Sequence, residues 1–179
     1  PSTDGESIFL PRAVPAPLED AEDRLLYRIM ALVQVGFVKF GLLRNRPLLV
    51  ELHRDWVLRS TFHLLAVHYI ISSWSRTWPG IAADFKAIHL LTKAAVMRVN
   101  VMVVPTRGMP EAFLPLYDGL VDVGRTAGSI GDPARKAVEA VGHIQNPAAA
   151  LPILVGQAQS LRQFFRQQRL GPPPLPYFA

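Results

Sequence analysis

Cysteine is absent from this sequence, which excludes disulfides and thiolate metal sites. Acids are nearly missing from one long stretch. Between Arg24 and Arg107 only Glu51, Asp55 and Asp84 stand against twelve Lys or Arg residues. No run of about 18 apolar residues is free of charge and His. The closest, Ile29 to Val38, stops at Lys39. A membrane-spanning helix is therefore not expected, whereas peripheral lipid contact stays open. No basic-then-apolar leader with a small-residue cleavage site is present either.

What is there is apolar and basic. Half of the 179 residues are hydrophobic and only 18% are charged, more apolar content than a small lone particle needs. That excess points to burial in a core, a subunit interface or lipid. The length suits one domain with a sizeable core. Charge is unevenly spread: net −5 over the first 23 residues, +9 over 24–107 and +1 over the last 72. A pI near 10 favours polyanionic partners such as nucleic acid or anionic lipid.

Residues 1–20 carry prolines at 11, 15 and 17 and should form an extended arm, with Ile8, Phe9 and Leu10 laid against something apolar. A single helical domain is expected over 21–171, and a Pro-rich polyproline II tail over 172–179. The first helix should start among the acids of Glu19–Asp23 and reach about Leu43. Its Arg24, Arg28 and Lys39 fall on one narrow side. The second should run unbroken from Pro47 toward Trp78, kinking near Ser72-Ser73, with Glu51, Arg54, Thr61, His68, Ser72 and Arg76 on one side. The third, after Pro79-Gly80, should reach Val104 with Lys86, His89 and Lys93 sharing a face. Later helices are expected over 110–123, from Asp132-Pro133 to Gly142, and from Asn146-Pro147 to Leu170-Gly171. Pro152 should bend the last one or delay its start. Its Arg162, Arg166 and Arg169 share a face.

Catalytic and metal signatures were sought in the same residues. The five histidines lack the helical i, i+4 pairing with an intervening Glu that a zinc site uses. Core or interface roles suit them better. Glu51 and Asp55 form an i, i+4 pair, but Arg54 and His53 beside them favour local ion pairs over acid–base work. The glycines at 124, 128 and 131 have no Lys-Ser/Thr after them, so they read as a connector and not as a nucleotide loop. Trp56, Trp74 and Trp78 favour core packing, with Trp74 and Trp78 one turn apart. No catalytic residue, cofactor or metal ligand is assigned, and an enzyme is not expected.

The basic seams carry the functional expectation. A helical face normally mixes Glu with Lys. Here the acids are missing, and an unanswered row of cations repels itself unless something negative covers it. Arg outnumbers Lys fifteen to four, and the guanidinium fork matches phosphate. Candidate nucleic-acid-binding residues are Arg24, Arg28, Lys39, Arg44, Arg46, Arg54, Arg59, Arg76, Lys86, Lys93 and Arg98. They would contact backbone, not bases.

Long apolar-basic helices with proline-laden arms at both ends make the chain resemble the major coat proteins of filamentous archaeal viruses, of the lipothrixvirus and tristromavirus kind. The resemblance implies an all-α helical bundle, a virion location, double-stranded DNA as partner, and assembly with copies of itself or a homologous coat subunit. The 24–107 helices would then face the DNA. Two alternatives remain: an accessory helical subunit of a membrane-associated complex, and a helical enzyme or carrier with an apolar pocket.

Overall fold

The computed structural model describes residues 2–3, 7–12, 20–88, 116 and 132–173. Within them the protein is an all-α bundle. Its helices are α1 (Asp20–Lys39), α2 (Arg46–Arg54), α3 (Trp56–Thr77), α4 (80–88), α5 (Asp132–Gly142) and α6 (Pro147–Gln167). In the N-terminal arm, β1 (Ser2–Thr3) and β2 (Ile8–Phe9) pair antiparallel, Ser2 opposite Phe9. The arm is tied to α1 by Tyr27, whose hydroxyl donates to the Pro11 carbonyl at 2.9 Å. The part of the expected third helix beyond residue 88, all of the expected helix over 110–123 except Leu116, the connector over 124–131 and the outer part of the C-terminal tail lie outside the described residues.

Helix α3 is the hub. It packs against α6, α5, α1 and α2, and every residue from Leu64 to Ile70 is buried. A helix apolar nearly all round is stable only when enclosed. Each fully buried Leu or Ile here contributes roughly 1.5–3 kcal/mol. Of the polar residues expected to share one side of the second helix, Thr61 and His68 are interior, while Arg54 and Arg76 are exposed. Thr61 is buried and its Oγ1 donates to the Val57 carbonyl at 2.7 Å. His68 Nε2 lies 2.6 Å from the Leu116 carbonyl. Both satisfy their polarity through backbone, which is what burial requires.

The long second helix expected from Pro47 to Trp78 is two helices. Asp55 breaks it with an extended backbone, φ −128° and ψ 100°, while its side chain accepts from the Leu58 N–H at 3.1 Å and caps α3. Asn45 caps α2 in the same way through Leu48. Asn146 caps α6 through Ala148, and that cap fixes the start of the helix ahead of Pro152, which sits inside it without delaying it.

α1 meets α3 most closely at Gly36, where an added Cβ would fall 2.4 Å from Ile70 Cγ2. No side chain fits there without parting the helices. Two helix ends use the same left-handed closure with different residues. After α1, Gly41 (φ +64°) donates to Val38, and buried Leu42 donates to the Phe37 carbonyl at 3.1 Å. After α6, Arg169 (φ 55°) donates to Arg166, and Leu170 donates to the Phe165 carbonyl at 2.8 Å. The terminator of α6 is thus Arg169 and not the expected Gly171. A side chain in this region is strained where glycine is not.

The two sites therefore respond oppositely in thermal denaturation. Gly41→Ala should lower stability by about 1 kcal/mol. Arg169→Gly should raise it by about 0.5–1 kcal/mol, a shift of roughly 1–4 °C in Tm.

Candidate polyanion-binding surface

The basic seam of α1 is its solvent face. Arg24, Arg28, Val35 and Lys39 are all exposed, while Leu26, Ile29, Met30, Val33 and Phe37 on the other side are buried. Arg28 pairs with Asp84 of α4, which places α4 beside the N-terminal half of α1. Lys86, also on α4, is exposed. Lys39 Nζ stands 4.4 Å from the centroid of the Trp74 ring, a cation–π contact. Arg76 is committed to the end of α5: it donates to the carbonyls of Gly142 at 3.0 Å and Ile144 at 2.8 Å. At that helix end the guanidinium meets the negative pole of the dipole.

A second group gathers around α2 and the start of α3. Arg44, Arg46, Arg54 and Arg59 are exposed there, and Arg59 lies over the Trp56 ring at 5.4 Å. α3 is 22 residues long, so its two ends stand about 33 Å apart at 1.5 Å per residue. The structure thus divides the candidate residues between two regions. Lys93 and Arg98 lie outside the described residues.

The three acids of the basic stretch are all used internally. Asp84 takes Arg28. Glu51 and Asp55 are held by α6: Arg162 reaches Glu51 at 3.5 Å and Asp55 at 3.2 Å, and Arg166 reaches Asp55 at 2.7 Å. Local pairing with Arg54 or His53, expected from their adjacency, does not occur. These partners are more than a hundred residues away in sequence, and only the shared Arg face of α6 hinted at them. Arg24, Arg44, Arg46, Arg54 and Lys86 make no ion pair with any carboxylate among the described residues.

Two titrations are displaced. Burial alone would raise the Asp55 carboxyl, but the Leu58 N–H and the Arg166 and Arg162 guanidinium groups hold it below the usual range. His63 packs against Phe37 with ring centroids 4.9 Å apart, and its enclosed Nε2 meets no hydrogen-bond partner. Burial, with Arg59 nearby, lowers it to about 4. Among the tryptophans, Trp74 is in the core and stacks on Trp78 at 5.0 Å and 14°, whereas Trp56 and Trp78 are 66% and 48% exposed. Core packing was expected of all three.

Among the described residues no three His, Asp or Glu side chains gather closely enough to hold a metal ion, and no helix is long and apolar enough to cross a membrane. An open depression of about 820 Å³ on α6 is lined by Gln159, Arg162, Gln163, Arg166 and neighbours. Comparison with known proteins finds no matching family model, no matching curated protein and no matching solved structure.

Asp55 and His63 act in separate pH windows. Asp55→Asn keeps a capping side chain and removes the charge, so it should cost about 0.5–1 kcal/mol at pH 7. Asp55→Ala should cost about 1 kcal/mol more, for the lost cap. Because its folded pKa is depressed, the charge contributes above pH 3.8 and is lost as pH falls through the folded value. Denaturant titrations at pH 7 and pH 2.5 should show the Asp55→Asn deficit shrinking. The depressed His63 favours the neutral ring, so wild-type stability should fall between pH 6.5 and about 4, by on the order of 3 kcal/mol. His63→Leu should flatten that slope.

Proposed function

We propose that the chain is a structural, nucleic-acid-packaging subunit: it neutralises backbone phosphates without reading base sequence and assembles with copies of itself or a homologous coat subunit, as in a filamentous virion with double-stranded DNA. The observation that carries this is the selective use of acids. Asp84, Glu51 and Asp55 are spent on Arg28, Arg162 and Arg166, so the surplus on α1, α2 and α4 is left for something outside the fold. Exposed Arg24 on α1 presents a fork suited to phosphate, as does Arg44, and Lys86 adds a point charge. Exposed Ile8 and Phe9 on the arm supply apolar contacts for a neighbouring subunit.

Binding of random-sequence duplexes against salt concentration tests this. Affinity should fall steeply, with little difference between sequences. Replacing Arg24 and Lys86 together by Gln should reduce the salt slope by about 2. A flat dependence between low and moderate salt removes phosphate contact, and with it the packaging role.

A further inference from the structure

α2 is a nine-residue helix whose exposed side is not merely basic. Asn45 and Pro47 fix its start, Asp55 stops it, and Leu48 and Leu52 pin its inner side to the core. Turning 100° per residue from these, the opposite side carries Arg46, Val50, His53 and Arg54, with Leu49 on the flank. Val50 is 52% and Leu49 38% exposed, and Trp56, at the head of the next helix, is 66% exposed. Val50 and Leu49 thus sit among Arg46 and Arg54 on the outer side of α2, and exposed Trp56, with Arg59 over its ring at 5.4 Å, follows two residues after Arg54. The two nearby acids are turned toward α6 and held by Arg162 and Arg166.

We propose that this face of α2, with Trp56, docks on an anionic lipid surface. A nucleic-acid backbone would engage the arginines but would leave Val50, Leu49 and the Trp56 indole in water. A bilayer interface takes both. Indole prefers the headgroup level, where one part of the ring is apolar and its N–H is wet. Val50 and Leu49 would enter the acyl boundary, as the apolar face of an interfacial helix does. Arginine stems lie along that boundary while their guanidinium heads reach lipid phosphate. The charge match is one-sided: no acid on the face opposes a negative leaflet. The inference goes beyond the packaging role and does not rest on it, because the apolar residues and not the cations separate the two.

Flotation of the full chain with vesicles tests it. Phosphatidylcholine vesicles containing about 30% phosphatidylglycerol should carry the protein up the gradient, and pure phosphatidylcholine should not. The double variant Val50→Ser, Trp56→Ser should bind the anionic vesicles at least about tenfold more weakly. Its circular dichroism and the salt slope of its duplex binding should stay unchanged, since both residues point away from the core. In wild type, brominated lipid should quench fluorescence that Trp56→Phe removes. Equal flotation of wild type and the double variant overturns the proposal, as does flotation with neutral and anionic vesicles alike or with neither. A self-associated wild type that the double variant converts to a monomer, with no lipid binding, assigns the face to a second copy and also overturns it. Any of these with salt-dependent duplex binding intact leaves the packaging role standing. A flat salt dependence with flotation intact does the reverse.

Discussion

The Asp55 carboxylate ties α2, α3 and α6 together at a single residue. Its backbone ends α2 and its side chain starts α3, so the direction of the chain changes at one residue. The same side chain receives Arg162 and Arg166 from α6, pinning the last helix along the hub. Around that contact the apolar core does the stabilising, and the carboxylate selects the register in which it packs.

The consequence for charge is a sorting, not a balance. Cations near the ends of the molecule find internal answers of different kinds: a carboxylate for Arg28, an indole face for Lys39, helix-end carbonyls for Arg76. Among the described residues of the basic stretch, those without an ion-pair, ring or carbonyl partner lie on α1, α2 and α4 and in the connection between α1 and α2. Surface ion pairs are individually weak, so pairing Glu51 and Asp55 with α6 adds little energy by itself. Its larger effect is to take two negative charges off the side of α2 that carries Arg46 and Arg54.

The fold class was legible because apolar residues recur at helical spacing from Leu25 onward, and because Pro47, Asp132-Pro133 and Asn146-Pro147 mark helix starts by simple chemistry. The seam of α1 was legible for the same reason, since a one-sided row of Arg and Lys has nowhere to go but solvent. The break at Asp55 was not. Nothing in the alternation from Leu52 to Leu58 opposes a continuous helix, and the side chains that favour the break arrive from Arg162 and Arg166. The interior placement of Thr61 was hidden too. Whether a polar side chain faces water or a backbone carbonyl depends on how many neighbours enclose the helix, and local spacing holds no record of that. Arg169 escaped notice because glycine two residues later is the commoner terminator.

The two regions of unanswered charge stand on either side of a hub about 33 Å long, several times the Debye length of about 8 Å at physiological salt. At that distance one group does not feel the other, so a small anion bound at one end would leave the other as it was. Only an extended polyanion, or two different negative surfaces, can answer both at once. The regions also differ in chemistry. Beside Lys86 on α4 the exposed residues are the small Ala82, Ala83 and Ala87, whereas the arginines of α2 lie beside the larger exposed Val50 and Leu49. A partner that is phosphate alone suits the first, and a partner that offers phosphate above an apolar layer suits the second. If both proposals hold, α3 is the spacer that keeps the two negative surfaces apart.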